Sequence, residues 1–167
     1  MLYNNDNEFN IIKTYQMYRK DSLEHLSQDL KLFQSKNKLF GSKLVRGAYW
    51  NSEKKLGTLY IDKYKTDINY DQGIIFISEN NINTYNILAT HNKSSINLGI
   101  NLNKFKKKKI FDFAHLAGMC EHIYNSKNIL SNESIHVYLP YGPYTKMLPY
   151  LLRRLYENID SIKYMIR

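Results

Sequence analysis

Cysteine is almost absent: the 167 residues contain one, Cys120. That excludes a disulfide framework within the chain and a zinc site built on cysteines. Long apolar runs are also absent. None reaches the roughly 18 residues that a membrane-spanning helix requires. Glycine-rich phosphate loops are missing, both the GxGxxG form and the P-loop form, so the usual nucleotide motifs are excluded. Arginine is scarce, with 5 among 24 cations. Readers of nucleic acid lean on arginine and on exposed, interleaved aromatics, and here the aromatics fall inside strand-like and helix-like patterns. No targeting segment is legible, because Met1-Leu2-Tyr3 runs into Asn4-Asn5-Asp6-Asn7 with no apolar stretch after a basic start. Either the protein stays where it is made, or this is not the native beginning.

What is there is charge of one sign. Lys and Arg outnumber Asp and Glu by 24 to 15, for a net +9 with histidines neutral. A basic domain of this size can bind an anionic surface. Against that, the Lys, Asn, Ile and Tyr excess reads as coding bias, and no nucleic-acid partner is expected. The densest run, Lys106-Lys107-Lys108-Lys109, directly precedes an apolar segment and reads as a solvated loop before a strand, with a phosphate or membrane contact as the sharper alternative. The length allows one domain.

Apolar periodicity sets the order of elements. Phe9 to Tyr18 reads as a strand. Asp21 to Phe33 reads as an amphipathic helix capped by Asp21 or Ser22, with Leu23, Leu26, Leu30 and Phe33 at helical spacing. Asn37 to Gly41 reads as a turn, and Lys43 to Trp50 as a buried strand running into a loop. Thr66 to Ile77 suits a short helix, Asn80 to Asn86 a loop or frayed helix, and Ile87 to Asn92 a short strand. Ser94 to Leu102 looks helical, Ile110 to Leu116 extended, Asn125 to Glu133 loop-like. Ile135 to Pro140 reads as the fifth strand and Tyr144 to Asn158 as the last helix. Strands that are apolar on both faces and alternate with helices argue for a parallel α/β sheet. Polar residues gather at the C-terminal strand ends, where such sheets carry their sites.

Three clusters carry chemistry. In the last helix Leu148, Leu151, Leu152, Leu155 and Ile159 form an apolar stripe, while Tyr150, Arg153, Arg154 and Glu157 share another face. Paired guanidinium groups suit a carboxylate; the plainer reading is a solvated face with an Arg153–Glu157 pair. Thr90-His91-Asn92 ends a strand, and His91 there is either structural or a donor to a ligand. No carboxylate or cysteine adjoins it, so no metal site is expected. Arg46-Gly47-Ala48-Tyr49-Trp50 pairs small residues with aromatics. It is either a packed strand end or a place for a flat ring against the backbone.

Taken together and in order, these clusters resemble proline dehydrogenase, the FAD-dependent (β/α)8-barrel family. The matching pieces are Thr14-Tyr15-Gln16, Gly41 with Lys43 to Tyr49, Ala89-Thr90-His91-Asn92, and Phe113 with Leu116 and Gly118-Met119-Cys120. They continue with Tyr138 and Pro140-Tyr141-Gly142-Pro143, Leu148-Pro149-Tyr150-Leu151, Arg153-Arg154 and Glu157-Asn158. The resemblance runs from about residue 9 to 160, and the Pro140 to Pro143 and Leu148 to Tyr150 forms look like the eukaryotic branch. It implies oxidation of L-proline to 1-pyrroline-5-carboxylate by hydride transfer to FAD, the first step of proline catabolism. It also implies a quinone as electron acceptor, a mitochondrial location and a peripheral inner-membrane contact.

The resemblance also implies roles. Gln16, Lys43, Arg46, Gly47, Ala48, Tyr49, Trp50, Thr90, His91 and Asn92 fall on the cofactor, with Lys63 and Thr66 as further contacts. Leu116, Tyr138, Tyr150, Arg153 and Arg154 fall on the substrate, and Glu157 orders the last helix. His115, or Ala114 with the gap placed differently, stands where the family has a flavin-bonding glutamine. A complete barrel takes at least about 200 residues. The expectation is therefore a partial (β/α)8 TIM-type barrel over residues 1–167, holding about the last five strands and the final substrate-binding helix, with no counterpart for the first strands. The competing reading is a truncated, inactive relative kept as a structural or binding fragment.

Overall fold

The structure is a computed structural model. It describes residues 11–47, 49, 53–118 and 133–157, at 56 and 153–157 by backbone alone. Strands and helices alternate: β1 (Lys13–Gln16), α1 (Ser22–Ser35), β2 (Phe40–Val45), α2 (Lys63–Glu79), β3 (Thr84–Ala89), α3 (Lys93–Lys106), β4 (Phe111–Leu116), β5 (Ile135–Tyr138) and α4 (Tyr144–Glu157). The five strands form one sheet in the order β1-β2-β3-β4-β5, and every pairing is parallel.

The register shows which face the helices cover. Tyr15, Leu44, Leu88, Phe113 and Ile135 are successive partners across the sheet. The first four are buried, and Ile135 packs against them. On this face a Cβ added to Gly99 in α3 would lie 2.7 Å from Leu88 and 3.2 Å from Phe113, so only glycine lets α3 approach so closely. Leu26, Leu30 and Phe33 of α1 and Tyr70, Ile74 and Ile77 of α2 complete the same core. Side chains alternate along a strand. The opposite face therefore carries Gln16, Val45, Ala89, Ala114 and His136 in one row, and Thr14, Lys43, Ile87 and Asp112 in another. An unreversed strand order with helices on one face is the winding of a barrel wall, not of a doubly wound sheet, whose order reverses.

Several sequence expectations shift. Phe40 and Gly41 belong to β2 instead of a turn, and the strand ends at Val45. Gly41 is pressed against Ile11, whose carbonyl oxygen would lie 2.5 Å from an added Cβ. The helix expected over Thr66 to Ile77 runs from Lys63 to Glu79, started by Asp62, whose side chain accepts from the Tyr64 N–H at 2.9 Å. Thr84, Tyr85 and Asn86 are strand, because Asn86 accepts from Ser42 Oγ at 2.8 Å inside the sheet and its polarity is satisfied there. Asp21 occupies the cap position of α1 without a side-chain cap bond. Its carboxylate instead takes Arg19 Nε at 2.9 Å and Nη2 at 2.7 Å, and that pairing holds it below the usual carboxylate range. The lysine run, expected as a solvated loop before a strand, begins inside a helix: Lys106 is its last residue, Lys107 adopts a left-handed cap, and Lys108 Nζ reaches the Asn81 carbonyl at 3.1 Å. The loop expected over Asn125 to Glu133 lies outside the described residues except for Glu133.

Candidate active site

Parallel strands bring their C-terminal ends to one edge. Gln16 ends β1, Arg46 and Gly47 follow β2, Thr90 to Asn92 follow β3, Leu116 ends β4 and Tyr138 ends β5. Leu116 and Tyr138 are register partners, so the two residues that resemble walls of the substrate ring stand side by side. Alternation turns Gln16, Lys43, Leu116 and Tyr138 to the helix-free face. Lys43 is half-buried there and has no partner among the described residues.

Arg46 points the other way. It donates from Nε to Asp67, from Nη1 to Thr90 Oγ1 and from Nη2 to Ser95 Oγ at 2.9 Å. Its guanidinium carbon lies 4.3 Å from the Tyr70 ring centroid. All three nitrogens thus serve the protein, binding the ends of β2 and β3 to α2 and α3. Thr90 Oγ1 also accepts from the Asn92 N–H at 3.1 Å. Asn92 Oδ1 in turn caps α3, taking Ser94 N–H at 2.9 Å and Ser95 N–H at 3.3 Å. Arg46, Thr90 and Asn92 shape the edge. His91 stands between Thr90 and Asn92. Burial first, then the charges of His115 and Arg46, lower its pKa to about 4, so the imidazole is neutral near pH 7.

Gly47 takes φ +147, and a Cβ there would fall 2.4 Å from the Tyr18 ring. Tyr18 Oη donates to Glu53 at 2.7 Å. Gly47 and Glu53 thus both contact Tyr18, just past the end of β1, and Tyr49 is exposed. His115 shares its face with Phe111 and Phe113, toward the helices, and is buried; its Nδ1 lies 3.1 Å from the Leu116 carbonyl oxygen. Ala114 takes the slot on the helix-free face. Thr66 is buried on the inner side of α2, and Lys63 is exposed at its first turn. Tyr150 is half-buried in α4. Arg153, Arg154 and Glu157 lie in that helix, their side chains outside the described residues, as are Ala48 and Trp50.

Sequence reasoning missed a cluster on the helix-free face. Asp112 Oδ2 accepts from Tyr85 Oη at 2.7 Å and lies 2.9 Å from His136 Nε2, while Oδ1 pairs with Lys109 at 2.9 Å. The Asp112 side chain is only 6% exposed. Burial pushes its carboxyl up, but the bonds from His136, Lys109 and Tyr85 outweigh it and hold the group below the usual range. Burial and then Asp112 push the Tyr85 hydroxyl up to about 12. The available signal was a carboxylate inside the apolar run from Ile110 to Leu116.

The fold defines a class: a section of (β/α)8 barrel wall, with polar groups gathered at the C-terminal strand ends. The family model for proline dehydrogenase matches residues 1–166, and the chain belongs to that family. Proline dehydrogenase 1, mitochondrial, of Caenorhabditis elegans is 31% identical over 172 residues, covering 92% of this chain and 27% of the relative. Hydroxyproline dehydrogenase of Xenopus laevis is 36% identical over 175 residues, covering 92% of this chain and 36% of the relative. Among solved structures, proline utilization A from Bdellovibrio bacteriovorus inactivated by N-propargylglycine matches with a TM-score of 0.84 at 25% identity, over 92% of this chain and 17% of that one. The chain thus spans about a third or less of the length of these relatives.

Proposed function

We propose that the chain forms the C-terminal part of a barrel that oxidises L-proline to 1-pyrroline-5-carboxylate with FAD, the first step of proline catabolism. The observation that supports this reading is the helix-free face of the sheet, which carries Gln16, Lys43, Leu116 and Tyr138, with Leu116 and Tyr138 register partners at the C-terminal strand ends. The donor set suits a flavin. Lys43 is a half-buried cation without a partner among the described residues, Gln16 is an amide on the same face, and His91 is neutral. When bound, the flavin supplies the hydride acceptor, and the organic chemistry is the cofactor's.

The chain's own residues then have a positioning task. Gln16, Lys43 and His91 hold the polar edge of the ring system, and the loop from Gly47 through Tyr49 flanks it. Ala48, Trp50, Lys63 and Thr66 belong to the same cofactor side by resemblance. Leu116 and Tyr138 wall the substrate ring. By resemblance Tyr150, Arg153 and Arg154 of α4 hold the substrate, the arginines taking its carboxylate in parallel charge-assisted bonds. Glu157 orders that helix face. Arg46, Thr90 and Asn92 fix the strand ends from behind. The relatives with mitochondrial names support a mitochondrial location, and the family resemblance implies a quinone as the next electron acceptor and a peripheral contact with the inner membrane.

The test is flavin retention and proline-dependent dye reduction by a complete barrel that contains this chain. The expected result is a yellow protein that reduces dye with proline, and loses turnover when Arg153 and Arg154 are both changed to Met. A colourless protein, or one reducing dye equally with that double substitution, overturns the reading. Hydroxyproline as the better substrate would move it to the other branch.

A further inference from the structure

Strand β5 brings little apolar surface of its own to the sheet. Ile135 packs against the core, while His136, Val137 and Tyr138 are exposed. Its one neighbouring strand among the described residues is β4. Backbone bonds set the register: Phe113 N–H reaches the Ser134 carbonyl at 2.9 Å, and Ala117 N–H the Tyr138 carbonyl at 3.0 Å. A strand with so few buried apolar contacts opens easily unless side chains add a hold.

The Asp112 cluster adds one. Lys109, just before β4, pairs with Asp112 Oδ1 at 2.9 Å and also donates to Oγ of Ser134, the residue before β5. His136 Nε2 lies 2.9 Å from Asp112 Oδ2. A carboxylate only accepts, so Nε2 carries the imidazole hydrogen toward it. Tyr85, from β3, donates to the same oxygen at 2.7 Å. Three strands are thus tied at one buried carboxylate. An apolar side chain would fill that place at less cost, and a buried ionic network is best explained where it fixes one geometry. Asp112 and Leu116 on β4, and His136 and Tyr138 on β5, share the helix-free face. Ala114, the register partner of His136, stands among them and offers no bulk to hold its neighbour.

We propose that His136, held by Asp112 and Tyr85, is a positioning residue that sets Tyr138 opposite Leu116 and so fixes the wall against the substrate ring. The inference rests on the proposed function, which places Leu116 and Tyr138 at that ring. His136 acts through the backbone of β5. Its tied imidazole holds the strand from turning, and Tyr138 is two residues further along the same face. The contribution is to the fit of the ring, and the carboxylate is left to α4.

The experiment measures binding of cyclopentanecarboxylate, a five-membered ring with a carboxylate and no ring nitrogen to oxidise, by a complete barrel that contains this chain. His136→Val removes the tie, and His136→Gln keeps an N–H for Asp112. The His136 side chain is 48% exposed, so neither change empties a packed core. His136→Val is expected to weaken binding about tenfold, as for loss of one hydrogen bond to a charged group. Its flavin content and thermal midpoint should stay near those of the parent. His136→Gln is expected to bind within about threefold of the parent. Equal binding by His136→Val and the parent overturns the proposal. So does an equal loss in His136→Gln, which would assign the imidazole to the ligand itself. A loss that comes with release of flavin and a clearly lower midpoint is general loosening of the wall, and overturns it too. A parent barrel that binds no ring carboxylate fails the proposed function, and this inference with it.

Discussion

On the helix side of the sheet, Tyr15, Leu44, Leu88 and Phe113 stand buried in one row, and the polar groups among them find partners within the chain. Ser42 donates to Asn86 at 2.8 Å, Arg46 is spent on Asp67, Thr90 and Ser95, and Asn103 bonds Ile110 N–H, Phe111 N–H and the Phe111 carbonyl. On the other side, Gln16, Lys43, Leu116 and Tyr138 share a surface where Lys43 has no partner in the described chain and Tyr138 is half exposed. The helix side is packed by the chain's own side chains, while the other side combines the internally bonded Asp112 cluster with the residues assigned to ligands under the proposed function. If that proposal holds, substitutions on the helix side act on stability and those at Lys43 act on ligand binding.

The largest expected effect is on the helix side. Phe113→Ala should cost about 3–5 kcal/mol, read as a lower urea midpoint. A loss below about 1 kcal/mol would break the division. Arg46→Ala removes the donor for three groups at the strand ends and should cost about 2–3 kcal/mol, discounted because the pair is partly exposed. It should weaken flavin binding only as far as it loosens the edge. His91 gives a pH test. Its pKa is lowered from 6.5 to about 4 in the fold, so the unfolded chain binds more protons between those values and stability falls as pH drops from about 6.5 to about 4. A loss on the order of 2 kcal/mol is expected over that window. His91→Gln should flatten it, whereas a slope unchanged by the substitution would remove His91 as its source. The smallest stability effect belongs to the open face: Lys43→Met should change the midpoint by under about 0.5 kcal/mol.

Much of this was legible beforehand because the signals were local. The leucine spacing of α1, the five strands and the alternation were readable from apolar periodicity. The extent of α2 was not, since its apolar residues lie on two sides and give no single stripe. The N-terminal half of β3 was hidden because Asn86 is polar yet satisfied inside the sheet. Leu116 and Tyr138, named from the family resemblance, are register partners on neighbouring strands. The outward turn of Arg46 was not legible, because Asp67, Ser95 and Tyr70 are distant in sequence and meet it only in the fold. Nor was the role of Asp112, whose partners Tyr85 and His136 come from neighbouring strands.

The most direct test of the division is the flavin affinity of Lys43→Met measured beside its thermal midpoint, in the completed barrel and with Phe113→Ala for comparison. The account predicts that Lys43→Met loses flavin affinity about tenfold or more while its midpoint stays within a degree or two of the parent, the loss of one charge-assisted contact. Unchanged flavin affinity, or a midpoint that falls as far as that of Phe113→Ala, would contradict it.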